Sequence, residues 1–87
     1  MDAAVYTDTV MKLSTVPSGG TVMLRSIRAG RGLAARLASM GLVPGTTVHV
    51  LRNESRGPVV LGLFGGRVML GRGMAEKVLV RNKLNKR

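Results

Sequence analysis

Alternation and helical spacing divide most of this chain into elements. Thr21 to Arg28 places Val22, Leu24 and Ser26 on one face and Met23, Arg25 and Ile27 on the other. The period is two, yet both faces keep apolar residues, so both should be partly covered. Leu33, Leu37 and Met40 then recur at helical spacing among the strong helix formers Ala34, Ala35 and Ala38. Gly41 is the expected C′ residue, where a left-handed backbone needs no Cβ, and Pro44-Gly45 sets a turn. Thr46 to Asn53 alternates again, with Val48 and Val50 inward and His49 outward, and Asn53 to Pro58 is the longest polar break, a hairpin loop. Val59, Leu61 and Leu63 share one face, and Gly65-Gly66 makes a tight turn. Val68 and Leu70 continue the inward set, while Phe64, Arg67 and Met69 point out. Gly71 to Glu76 is irregular or one turn of helix, and Lys77 to Val80 is a last strand with Val78 and Val80 inward.

About five short strands with one short helix inserted after the first predict a mostly β domain, a small and partly open barrel with the helix as its lid. Lys12 to Gly20 supplies a hydrophobic anchor and a turn ahead of the first strand. Residues 1–10 show no period and hold Asp2 and Asp8, so they read as a loosely attached leader, with Met11 as an alternative start. Residues 81–87 read as a basic, frayed tail, which leaves 11–80 as the organised domain.

Composition narrows the classes. A chain of 87 residues is one domain with a small core. Tyr6 and Phe64 are the only aromatics, so aliphatic side chains must fill that core. With no cysteine there is no disulfide framework and no thiolate metal site. No apolar run approaches the ~18–20 residues that span a bilayer, and no signal-peptide pattern is visible, so a cytoplasmic protein is expected. The net charge of +10 suits nucleic acid, an anionic membrane surface or an acidic protein, and does not choose among them.

Candidate chemistry is sparse. Gly30-Arg31-Gly32 precedes the helix but lacks the third glycine of a dinucleotide fingerprint and the Lys-Ser/Thr of a phosphate loop, so it reads as a turn. His49 is the single histidine, the four acids are scattered, and no serine has a clear histidine partner, so neither catalysis, a cofactor nor a metal shell is expected. Met40 reads as core filler, whereas Met23, Met69, Met74 and Phe64 divide between packing and a soft protein contact. A nucleic-acid barrel would stack bases on aromatics, which this chain lacks beyond Phe64, so that role is the alternative and not the preferred one. Arg81, Lys83, Lys86 and Arg87 in the tail suit an anionic membrane surface, and self-association through Phe64, Met69 or an edge strand also stays open.

Four blocks carry a family resemblance: Met11-Lys12-Leu13-Ser14, Arg36-Leu37-Ala38-Ser39-Met40-Gly41-Leu42-Val43-Pro44-Gly45, Gly57-Pro58-Val59, and Leu70 through Val78. In order and spacing they resemble the FeoA family of small ferrous-iron transport accessory proteins. The resemblance implies an SH3-like barrel and a non-enzymatic, cytosolic partner of the FeoB permease, contacting its cytosolic GTPase region. It implies a scaffold role for Leu37, Gly41, Leu42, Pro44 and Gly45. The barrel is also similar to the C-terminal domain of metal-dependent repressors, without the helix-turn-helix that would bind DNA. Clustered basic and methionine residues beside glycine-rich backbone nominate Arg31, Arg36, Met40, Arg72 and Met74 as the partner-contact surface.

Overall fold

The computed structural model describes residues 5–84 and shows one antiparallel sheet of six strands in the order β1-β6-β2-β3-β4-β5. The strands are β1 (Tyr6–Lys12), β2 (Thr21–Ile27), β3 (Thr47–Arg52), β4 (Val59–Leu63), β5 (Gly66–Leu70) and β6 (Val78–Lys83). Helix α1 (Arg31–Ser39) is inserted between β2 and β3, and the one-turn α2 (Arg72–Ala75) lies between β5 and β6. The mostly β architecture with an inserted helix is thus as expected, with one strand more. Among the described residues no ladder joins β1 to β5, so the sheet is open along those two edges.

The extra strand lies in the supposed leader. Tyr6 to Lys12 pairs with β6, with an irregularity between Tyr6 and Val10. It gave no period because it is an edge strand with little in the core: Asp8, Thr9 and Val10 in its centre are exposed. The tail is corrected in the same way, since β6 continues through Arg81 and Asn82 to Lys83. Arg81 donates to the Thr7 carbonyl at 2.7 Å and to Asp8 Oδ1 at 2.7 Å, which ties β1 to β6. Residues 1–4 of the expected leader and 85–87 of the expected tail lie outside the described residues.

Leu, Val and Ala side chains make the whole buried core, and among the described residues no polar or charged side chain is buried. Val22 and Leu24 enter it as alternation predicts. Beyond Leu24 the β2–β6 register shifts, so Ile27, opposite Val78, packs against the core and Ser26 does not take the expected inward place. A bulge of this kind is invisible to a strict period of two.

Helix α1 ends as its sequence indicates. The Leu42 amide donates to the Leu37 carbonyl at 2.9 Å, and the Gly41 amide donates to the Ala38 carbonyl at 2.9 Å. Gly41 has φ +88°, the left-handed value that this double closure requires. Leu37 and Leu42, the two residues the closure brings together, are fully buried. Val43-Pro44-Gly45-Thr46 then turns, with the Thr46 amide on the Val43 carbonyl at 3.1 Å and Gly45 at φ +94°. The Gly45 amide bonds the Leu24 carbonyl at 2.7 Å, fastening this turn to β2. A residue with a Cβ in place of either glycine would meet a conformational cost of about 1–2 kcal/mol.

Candidate protein-contact surface

The outer face of the sheet falls into two parts. Over β2, Met23 is half-buried and shares a hollow with Asp8, Arg25 and Arg81, so the β1 segment partly covers that side. Over β3, β4 and β5 the sheet is open among the described residues apart from Tyr6, whose hydroxyl lies 3.2 Å from that of Thr47 at the start of β3. There the cross-strand rows are His49–Gly62–Arg67 and Arg52–Val60–Met69. Leu51 lies between them, its side-chain atoms 3.3 Å from where a Cβ on Gly62 would stand. Gly62 is buried for that reason, while Leu51 itself is 46% exposed and Met69 67% exposed.

Phe64 closes this face at the tip of the β4–β5 hairpin. The turn is Phe64-Gly65, with Leu63 opposite Gly66, one residue earlier than Gly65-Gly66. Both turn residues have positive φ, +52° for Phe64 and +77° for Gly65, as a two-residue hairpin of the mirror-image type requires. Asn or Gly ordinarily fills the first position, and a bulky aromatic there is a backbone outlier. Phe64 is nevertheless 82% exposed, so burial offers little return for that conformation. Its ring lies over the end of α1: a Cβ on Gly41 would stand 2.8 Å from Phe64 Cε2. With His49, Leu51, Gly62 and Arg67 it borders an open hollow of about 410 Å³. Gly41 therefore serves twice, closing the helix and seating the ring.

The residues nominated from sequence separate here. Arg31 and Arg36 are exposed on α1 and form no ion pair among the described residues. Met40 and Met74 are half-buried and pack against the core. Arg72 does not stand free: its guanidinium donates to Asn53 Oδ1 at 2.9 Å, to the Gly57 carbonyl at 3.2 Å and to the Glu54 carbonyl. Asn53 in turn donates to the Ser14 and Val16 carbonyls at 2.9 and 2.7 Å. The pair fastens the β3–β4 loop to α2 and to the turn after β1. Leu37, Gly41, Leu42, Pro44 and Gly45 occupy the helix end and turn described above. Leu51 and the Asn53–Arg72 link were missed from sequence; an outward Leu in a mixed strand was the one signal that could have flagged the former.

Among the described residues no three His, Cys, Asp or Glu side chains converge. No helix among them is long and apolar enough to cross a membrane. The class is a small, mostly β SH3-type fold with an exposed apolar face. The comparisons with known proteins give it a family. Residues 11–82 match the FeoA domain. Over 68 residues the chain is 38% identical to a protein of Methanocaldococcus jannaschii assigned as Fe(2+) transport protein A, spanning 78% of this chain and 82% of that one. It superposes on the crystal structure of an iron uptake regulatory protein, FeoA, with a TM-score of 0.81 and 35% identity, over 85% of this chain and 99% of that one. A manganese-dependent transcriptional repressor shares the fold alone, with a TM-score of 0.78 at 22% identity, over 87% of this chain and 43% of that one. The chain belongs to the FeoA family, the non-catalytic accessory proteins of ferrous iron transport.

Proposed function

We propose that this chain supports Fe²⁺ uptake by binding the cytosolic GTPase region of a FeoB permease from the cytoplasmic side. Family membership supplies the transport system, and the observation that carries a docking role is Phe64. An exposed aromatic held in a left-handed turn is costly to the free chain and suits an anchor that a partner buries, since aromatic and Arg residues dominate interface energetics. Arg36 and Met40 belong to the same surface in this reading, because they lie at the end of α1 beside the Gly41 that seats the ring, and Arg31 extends it to the far end of the helix. Arg72 and Met74 serve the scaffold beneath it, one through its hydrogen bonds and the other through core packing.

The test is titration of the chain against full-length permease in nanodiscs, with lipid-only nanodiscs beside it. Saturable binding to the permease discs alone is expected, weakened at least tenfold by Arg36→Glu and by Phe64→Asn. Equal binding to the lipid-only discs would mean that the basic surface reads membrane charge, and the permease reading would be abandoned. Ferrous iron uptake by a deletion strain should return with the intact chain and not with either variant.

A further inference from the structure

We propose that the free edge of β5 accepts an extended segment of the partner as a seventh strand, one whose outward residues, two positions apart, set an acid beside Arg67 and an apolar side chain beside Met69. The identity of the partner rests on the function proposed above; the chemistry of the segment rests on the edge itself. β5 pairs only with β4. Because a two-residue turn sets Leu63 opposite Gly66, bonded and non-bonded pairs alternate from there. Leu63–Gly66, Leu61–Val68 and Val59–Leu70 face each other as bonded pairs. Arg67 and Met69 therefore aim their N–H and C=O groups away from β4, and among the described residues no backbone or side-chain group bonds them. Two donors and two acceptors stand in a row along an unbulged strand, the template that strand addition uses.

Side chains at the same two residues define the occupant. Met69, with Val60 and Leu51 beside it, makes an apolar strip along the outer face, and Arg67 stands next to it near His49. Arg52 and Arg56 border the other end, where Glu54 is the one acid and is already paired with Arg52 at 2.9 Å. A second copy of this chain would bring its own +10 charge, and in the two-fold pairing of β5 edges that uses both free residues it would set each Arg67 opposite Met69 and leave the two Arg67 side chains as diagonal neighbours of like charge. An acidic, apolar strand meets the same edge with complementary charge.

Three measurements decide this. Met69→Pro removes one edge donor while leaving the β4 ladder intact, since proline is tolerated at such edge positions. Arg67→Glu reverses the neighbouring charge without touching the backbone, and carries the test if the proline variant fails to fold. Each is titrated with permease nanodiscs and with the peptide Asp-Thr-Val-Thr-Asp-Thr, whose outward residues are Asp, Val and Asp, and amide exchange at Arg67 and Met69 is followed in the wild type. Expected are slowed exchange at those two amides on adding either probe, and at least a tenfold loss of affinity in both variants. Permease binding that is unchanged in the variants, with exchange unslowed, overturns the edge proposal and leaves the permease reading standing. If the wild type ignores the permease, the permease reading falls and the peptide decides alone: protected Arg67 and Met69 amides uphold the edge, unprotected ones reject it. A dimer of the free chain that Met69→Pro dissolves also rejects it, in favour of a second copy.

Discussion

The β3–β4 loop meets α2 through hydrogen bonds, whereas the β4–β5 turn meets the end of α1 through one aromatic ring. At the first junction the two side chains that join the elements both have internal partners: Asn53 bonds Ser14, Val16 and Arg72, and Arg72 adds the Glu54 and Gly57 carbonyls. At the second, Phe64 touches Gly41 and leaves 82% of its surface to solvent. The charged junction looks like the binding site from sequence and is spent on the fold. The apolar one looks like a loose end and keeps its surface available. Charge alone is a poor guide to a docking residue; what matters is whether its bonds are already taken.

The largest effect expected from breaking this contrast is at Asn53. Asn53→Ala removes three side-chain hydrogen bonds and strands the Ser14 and Val16 carbonyls beneath the loop, a loss of about 2–4 kcal/mol. In a domain whose whole stability is of order 5–15 kcal/mol, that is a large share, and at about 4–8 °C per kcal/mol it should be plain in a thermal melt. Arg72→Met keeps much of the side chain's bulk and deletes its donors, so a smaller loss of about 1–3 kcal/mol is expected. Permease affinity of the folded Arg72→Met protein should stay within about twofold of wild type, a shift of under about 0.5 kcal/mol. A drop comparable with that of Arg36→Glu would return Arg72 to the contact surface and erase the contrast.

Gly41→Ala acts on the second junction from the helix side. The alanine must hold φ +88°, at about 1–2 kcal/mol, and its Cβ would stand 2.8 Å from the ring. Because Phe64 is exposed, the ring can swing aside, so steric overlap should add little to that figure. Binding should fall with the displaced ring. A double-mutant cycle of Gly41→Ala with Phe64→Asn separates the two contributions, the stability terms adding and the binding terms not.

How much of this was legible follows the range of each interaction. Leu37, Gly41, Leu42, Pro44 and Gly45 could be read directly, because a helix closure and a turn are decided within a few neighbours. Val59, Leu61 and Leu63 were equally clear, since one buried face of a strand leaves its period in the sequence. β1 was not, because Tyr6 to Lys12 is held by β6, far along the chain between Leu79 and Lys83, and its central residues face solvent. Nor was the Asn53 link, whose carbonyl partners lie 37 and 39 residues away. The exposed strip of Leu51, Val60 and Met69 depends on β3, β4 and β5 lying side by side in one register, with a bulge at Leu51 that alternation cannot anticipate. Phe64 could be placed outward, but its seat on Gly41 joins two elements that only the tertiary fold brings together.

Phe64→Asn should have the smallest effect on stability and is the sharpest test of the comparison. Asn is at ease in the left-handed first position of an Asn-Gly turn, so relieving the aromatic there should leave the fold unchanged or firmer by up to about 1 kcal/mol. Little burial is given up, since the ring is mostly in water already. The same substitution should weaken permease binding at least tenfold, a loss of about 1.4 kcal/mol or more. A residue whose removal helps the free chain and harms the complex is one kept for its partner. If the melting temperature falls instead, by more than the ~4–8 °C that 1 kcal/mol would shift a domain this size, then Phe64 holds the hairpin to α1 as a structural prop. The two junctions would then differ in chemistry but not in purpose.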